Sequence, residues 1–546
     1  MLSRAPALNR YLASLAAIRF PHQTVMATLS QVKLHNPGTL DVPALARRAT
    51  ELLKRTPYPW QLEMAKHVLA GVDVILDVGT GSGKSLCFDI PLLCSNEDIS
   101  LIISPLTALM LEQAGASPLK SIAVCEETLR AEGKEALFKR IAEGDAQRIL
   151  VSPEVAGSLE FSRKVLSQKR FQEHLRMVII DEAHCVSLWG GSFRAEYSEL
   201  GVLRGRLPPS VVFVVASATL PKHVLDDICI KLSITRSAAT VSLSNARPNV
   251  ALSVRKIVHP EDTKADLRFM IPDGATSAED IPIQLAYFNR RTETEDACDQ
   301  LQNWAESVGI PRSAIGFYHA KIGTLRKREL EVFLREGKIR ILCCTDAVGM
   351  GCDMRNIFRV VLWKLPPSFC ALAQRAGRAA RDFSKLGEAI LLVSAKVLKD
   401  GIAEAEAHAV MADLALPENQ EGAVAEQDGL ADAADDDDGV DVVAGQDVAV
   451  GEGGARLEHH GEGEDMDDDE GIAPTLTAAQ KKKQKKKRKK KLAQVSASDD
   501  LEARTLSEFA CTTACRRIVW DNYFVNASKR SSFLFAIQGC QQMLSR

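Results

Sequence analysis

The chain has 546 residues, of which 46% are hydrophobic and 25% charged, with a net charge of −3. That length suits about three or four folding units, and no apolar run reaches the roughly 18–20 residues of a membrane span, so a helical membrane protein is not expected. The 13 cysteines, among them Cys87, Cys94, Cys343 and Cys344, are scattered through apolar segments. That usage fits buried thiols in a reducing compartment better than a disulfide framework.

In chain order, the first 40 residues carry Arg4, Arg10 and Arg19 and no acid. LNRYLASLAAIRF has the pattern of a basic amphipathic helix, so the lead (1–50) reads as a mitochondrial transit segment or as a plain N-terminal helix or disordered lead. From Leu52 to about Asp400, short β-branched apolar runs alternate with longer helical stretches. One set is DVILDV (73–78), SLIIS (100–104), RILVS (148–152), MVIID (177–181) and VVFVVAS (211–217). A second is PIQLAYF (282–288), SAIGFY (313–318), IRILCCT (339–345), FRVVLW (358–363) and EAILLVS (388–394). Continuous apolar runs suit strands buried on both faces of a parallel sheet. Two sets of five predict an α/β protein with two tandem doubly wound parallel-sheet domains, 51–243 and 244–404, joined near SNARPNV (244–250).

The character then changes. Residues 418–470 hold 20 Asp and Glu against one Arg, and KKKQKKKRKKK (481–491) holds 10 basic residues. The acidic tract has no aromatics and too little apolar surface to offset chain entropy, so 405–500 is expected to be a disordered acidic and then poly-Lys linker. Setting the two tracts aside leaves +6 on the remaining 482 residues, which allows a polyanionic partner. The Lys run reads as a nuclear import signal first and a nucleic-acid tether second.

Two stretches carry chemistry. DVILDVGTGSGKS (73–85) is a strand, a Gly-rich turn and a Lys-Ser pair, and the backbone N–H groups of such a turn cradle phosphates at the start of a helix. Thr80, Gly81, Ser82 and Gly83 form the loop, Lys84 is placed to reach the β- and γ-phosphates of ATP, and Ser85 to ligand Mg²⁺. Val78 stands where the strict pattern has Gly. MVIIDEAH puts Asp181 and Glu182 at the C-terminal end of a strand, where open α/β sheets hold ligands. Asp181 suits Mg²⁺, and Glu182 suits orienting and polarising the attacking water. Two acids at a strand end are also a common helix N-terminal turn; the pairing with Lys84 and Ser85 favours the ATP site.

Directly behind the acids, CVSLWGGSFRAEY carries Trp189, Phe193 and Tyr197 among Gly and Ser. Nucleic-acid bases stack on aromatics for ~1–3 kcal/mol each without regard to sequence. Trp189 and Phe193 therefore read as a stacking surface for bases close behind Glu182, with core anchoring as the alternative. QRAGRAARD (374–382) spaces Arg378 and Arg381 at i and i+3, which predicts one helix face able to approach a γ-phosphate, or else an exposed basic helix.

In order along residues 50–400, these motifs resemble a superfamily 2 helicase, and specifically a RecQ-type DNA helicase. PYPWQLEMA (57–65) resembles the adenine-reading segment, with Gln61 as base reader. SPLTALMLEQ (104–113) and VSPE (151–154) resemble strand-contacting motifs, and ASAT (216–219), with Ser217 and Thr219, the coupling motif. YHAKI (318–322), TDAVGMGCDM (345–354), with Asp353 at the nucleotide, and QRAGRAARD resemble the second domain's motifs. The family usually has Gly where this chain has Ala380.

The resemblance implies two RecA-like domains, with ATP and Mg²⁺ between them, and 3′-to-5′ unwinding of DNA in repair, recombination or replication. DNA is the implied partner, with protein partners on the charged tail and no membrane. The implied location is the nucleus, with the mitochondrion as alternative. CTTACRRIVWDNYF (511–524) resembles the start of the RecQ zinc-binding region (501–546). Cys511, Cys515 and Cys540 are too few for a four-ligand structural site, so zinc is not expected and the chain reads as a minimal or truncated member. The rival readings are a DEAH-type RNA remodeller and a nucleic-acid-binding scaffold with little unwinding activity.

Overall fold

Strand formation follows the apolar runs. The structure, a computed structural model, describes residues 32–79, 81–187, 195–348, 354–400 and 501–529. Val74–Asp77 (β1), Ile99–Ile103 (β2), Ser121–Val124 (β3), Arg148–Val151 (β4), Leu175–Ile180 (β5), Val212–Ser217 (β6) and Ala239–Ser242 (β7) form one sheet, in the order β3-β4-β2-β5-β6-β1-β7. Val250–Lys256 (β8), Gln284–Tyr287 (β9), Ile315–Tyr318 (β10), Ile341–Cys344 (β11), Arg359–Trp363 (β12) and Gly387–Val393 (β13) form another, in the order β10-β11-β9-β12-β13-β8. Every pairing in both sheets is parallel.

Each of the ten predicted runs overlaps a strand, but the sheets have seven and six strands rather than five each. The extra strands, β3, β7 and β8, all lie at sheet edges. An edge strand is covered less fully and does not need an unbroken apolar run. In β8 only one residue of seven is buried, and in β7 one of four.

The first sheet holds its site-bearing parts with buried ion pairs. Asp89 closes the helix Lys84–Asp89 and pairs at 2.8 Å with Arg148 of β4, whose side chain is 1% exposed. Ser117 Oγ donates to the same carboxylate at 2.8 Å. Breaking a buried pair on one side costs about 3–5 kcal/mol, so this helix is fixed to the sheet behind it.

The C-terminal stretch returns to the body. Residues 501–511 are helical, followed by the helix Arg516–Tyr523. Glu502 accepts from Phe369 N at 2.6 Å and lies 3.0 Å from His223 Nε2, so it touches both sheet-bearing halves. Phe369 packs edge-on against Phe509, Trp520 and Tyr523. Cys511 and Cys515 are exposed, and Cys511 Sγ donates to Val397 O at 3.2 Å. Cys540, the lead 1–31 and the charged tracts lie outside the described residues. Among the described residues no helix is long and apolar enough to cross a membrane, and no group of three or more His, Cys, Asp or Glu gathers as a metal site.

Candidate functional site

β1 ends at the Gly-rich turn, and the chain enters the helix Lys84–Asp89 through Gly83 at φ +89°. An L side chain is strained there, and a Cβ on Gly83 would lie 3.1 Å from Gln61 Nε2. Gly81 is also left-handed, at φ +80°. Gln61, on the helix Pro59–Leu69, is 1% exposed. Its Oε1 accepts from Tyr58 N at 2.7 Å and its Nε2 donates to Gly83 O at 2.8 Å. Both ends of the amide are oriented, while a second Nε2 hydrogen and a lone pair remain for another molecule. Lys84 Nζ donates to Val78 O at 2.9 Å, folded back onto its own turn. Ser82 is half-buried and Ser85 exposed, and Thr80 lies outside the described residues.

β5 ends at Ile180, and Asp181 follows, its N–H donating to Ile103 O at 2.9 Å. Gln113 Nε2 donates to Asp181 Oδ2 at 2.8 Å. Burial, with the Glu182 charge beside it, raises the Asp181 carboxyl to about 6. Glu182 takes the left-handed conformation, φ +49°, which costs a non-glycine residue about 1 kcal/mol or more. Burial works against its charge, but His184, Lys84 and Arg378 outweigh that and hold it at about 2. Glu182 is thus a fixed carboxylate, while Asp181 lacks enough positive charge around it.

A polar chain leads away from the acids. His184 Nδ1 lies 3.2 Å from Glu182 Oε2 and 2.9 Å from Ser217 Oγ, at the end of β6. Burial disfavours the imidazolium, yet Cys185 and Glu182 raise it to about 10. Thr219 N donates to Ser217 Oγ at 3.2 Å. Gln374 Nε2, on the helix Phe369–Ala376 of the second half, donates to Thr219 Oγ1 at 2.9 Å. The acids are therefore linked to the second sheet's helix through predicted Ser217 and Thr219 and unpredicted His184 and Gln374.

The arginines require a correction. The helix ends at Ala376, so Arg378 and Arg381 share no helix face. Arg378 lies in the turn that follows, and its charge reaches Glu182. Arg381 comes after Ala380, which sits at φ +41°. The family's Gly at that position is explained by this backbone. Here the methyl is accommodated because residue 387 is Gly: a Cβ there would lie 2.8 Å from Ala380 Cβ and 2.8 Å from Phe358 O.

The turn is held by SNARPNV. Arg247 donates to Gly377 O (2.9 Å), Ala379 O (2.9 Å) and Ala380 O (2.5 Å), and Asn249 Nδ2 donates to Ala380 O at 2.8 Å. The sequence marked this stretch as a joint only. The fully buried Arg375 escaped prediction too; it grips Asp346 with two bonds of 2.7 and 2.6 Å and Asn289 with one of 3.0 Å. These residues stood in the quoted motifs or beside them, but nothing local distinguished them.

Of the aromatics, Trp189 and Phe193 lie outside the described residues, as does Asp353. Tyr197, in the helix Ala195–Ser198, is fully buried, and its OH donates to Asp181 O at 3.2 Å. It ties the helix Ala195–Ser198 to the strand end that bears the acids.

Comparison with known proteins agrees with this geometry. The family described as DEAD/DEAH box helicase matches residues 58–228, and the helicase conserved C-terminal domain matches residues 284–383. "ATP-dependent DNA helicase RecQ" of Synechocystis is 31% identical over 344 residues, covering 62% of this chain and 68% of that protein. The Haemophilus influenzae protein of the same name is 28% identical over 324 residues, covering 59% of this chain and 49% of its own length. Mouse "ATP-dependent DNA helicase Q5" is 29% identical over 338 residues, covering 60% and 33%. The chain spans about half the length of the Haemophilus influenzae and Pasteurella multocida relatives. Among solved structures, the DEAD-box helicase Mss116 bound to ssRNA matches with a TM-score of 0.51 at 18% identity, over 67% of this chain and 77% of that one. That likeness speaks for the fold alone. With two parallel α/β sheets, a Gly-rich turn facing an acid pair, and a Synechocystis relative covered over two thirds of its length, the chain belongs to the RecQ-type helicases of superfamily 2.

Proposed function

We propose that this chain is an ATP-dependent DNA helicase that moves 3′ to 5′, with residues 51–243 and 244–404 as its two RecA-like lobes. The observation that carries its ATPase part is that Lys84 and Arg378, from the two sheet-bearing halves, both act on buried Glu182, and Lys84 on Asp181 beside it; the DNA preference and the direction follow from the likeness to RecQ-type helicases.

In this reading Gln61 offers its remaining amide donor and acceptor to adenine. The turn from Gly79 to Ser85 presents N–H groups to the phosphates, and Lys84 exchanges Val78 O for a phosphate oxygen. Asp181, a buried carboxyl short of positive charge, and Ser85 suit Mg²⁺, which when bound neutralises phosphate charge. Glu182, kept ionised, orients and polarises water. Arg378 stabilises charge at the γ-phosphate from the second lobe; Arg381 is the second candidate for that role. The path from Glu182 to Gln374 lets the second lobe sense the state of the acids. Trp189 and Phe193, between the acids and the Tyr197 anchor, supply the stacking surface for DNA. The Lys run directs the chain to the nucleus, with the mitochondrion as the alternative set by the Arg-bearing lead.

The deciding assay is ATP hydrolysis by the full chain with single-stranded DNA, with RNA and with neither. DNA stimulation is expected. Stimulation by RNA alone would move the assignment to an RNA remodeller, and no hydrolysis under any condition would leave a binding scaffold. Lys84→Ala is expected to abolish turnover while leaving the melting temperature near that of the parent. Trp189→Ala with Phe193→Ala is expected to keep basal hydrolysis and lose most DNA stimulation; full stimulation in a folded double variant would overturn the coupling role.

A further inference from the structure

A buried acid sits directly before the phosphate turn. Asp77 is the last residue of β1, and its side chain is 7% exposed. The neighbouring Val78 carbonyl holds Lys84 Nζ. A carboxylate here is unexpected in a strand otherwise made of Val, Ile and Leu. Left unpaired, it would have Lys84 as a nearby cation.

The cation that meets it comes from 452 positions away in sequence. Lys529 Nζ, on a side chain 9% exposed, lies 2.5 Å from Asp77 Oδ2. Among the described residues Asp77 Oδ1 is buried with no hydrogen-bond partner, and Lys529 meets the other oxygen of this carboxylate. The residues before Lys529 fix its approach. Trp520 Nε1 donates to Asn245 Oδ1 at 3.1 Å, and Asn526 Nδ2 to the same oxygen at 3.0 Å. Asn245 N donates to Asn526 Oδ1 at 3.2 Å. A Cβ on Gly79 would lie 3.5 Å from Asn245 Cα, so the residue they clasp backs the phosphate turn directly. Asn245 Nδ2 also donates to Ala218 O, between Ser217 and Thr219.

We propose that residues 501–529 are part of the nucleotide site and that Lys529 is a positioning residue: by pairing with Asp77 it keeps that carboxylate from competing with phosphate for Lys84. Burial raises the Asp77 carboxyl; Lys529 foremost, and Lys84 after it, act against that. The inference rests on the reading of Lys84 as a phosphate ligand.

The test uses the full chain, with a fluorescent ATP analogue for affinity and steady-state hydrolysis for KM and kcat. Lys529→Met is expected to weaken nucleotide binding and raise KM by about tenfold, with kcat changed much less, because the loss falls on bound ground state and transition state alike. Lys529→Arg should keep the parent KM. In Lys529→Met with Asp77→Asn no carboxylate remains to draw Lys84, and KM is expected to return to within about twofold of the parent. The double variant also removes the unpaired buried charge, so it serves if the single variant folds poorly. An unchanged KM in a folded Lys529→Met overturns the proposal. So does a double variant that recovers its melting temperature but keeps the raised KM, since that marks a purely structural pair. A parent that binds no nucleotide removes the reading beneath the proposal, and the proposal with it, an outcome distinct from the other two.

Discussion

The two halves of the candidate site are built differently. On the first sheet, Lys84, Asp181, Glu182 and Ser217 stand at strand ends or in the turns that follow, held mainly by groups of the same sheet layer such as Gln61, Gln113 and His184. On the second, Arg378 stands in a turn past a helix end, and its neighbours are held by Arg247 and Asn249, more than 125 residues earlier. The first side is a product of local chain geometry: a parallel strand followed by a tight turn delivers its next residues to the ligand edge. The second depends on a distant segment folding over a turn that would otherwise leave three buried carbonyls without donors.

This contrast can be broken or sharpened by substitution. The largest effect is expected on the first side. Glu182→Gln should lower kcat by about 10²–10⁴ while nucleotide affinity, measured by titration, stays near the parent. Turnover near the parent level would assign water activation to another residue.

An intermediate effect is expected from the clamp on the second side. Arg247→Ala removes the donor to Gly377, Ala379 and Ala380. Leaving the Gly377 and Ala379 carbonyls unsatisfied, while Ala380 O keeps its bond from Asn249, should cost about 1–3 kcal/mol or more of stability and also reduce turnover by displacing Arg378. Equilibrium unfolding together with ATPase rates checks both parts. A loss of stability with full turnover would show that the turn does not need its clamp for chemistry.

The smallest effect is expected where the sides meet. Gln374→Ala removes the bond to Thr219. A single neutral hydrogen bond contributes about 0.5–1.5 kcal/mol, so basal ATPase should change by no more than about tenfold. The DNA-stimulated rate should fall further than the basal rate. Equal loss in both would place Gln374 in packing rather than in communication between the lobes.

The sequence by itself determined the α/β class and ten of the thirteen described strands, and it marked the Gly-rich turn, the acid pair and the ASAT stretch as the candidate site. Those features are local: continuous burial demands continuous apolar runs, and a turn that meets phosphate demands glycine and Lys at fixed spacing. The tertiary structure decided the rest. β3, β7 and β8 escaped notice because edge strands do not need that apolar signature. The i, i+3 arginines were expected on one helix face, but the helix ends at Ala376, and Ala380 takes a left-handed conformation held by bonds from Arg247 and Asn249, by its own N–H to Ile357 O and by the space beside Gly387. Spacing along a chain cannot show which carbonyl a distant guanidinium will meet. The same holds for Asp77, an anomaly in a buried strand until the fold brings Lys529 to it.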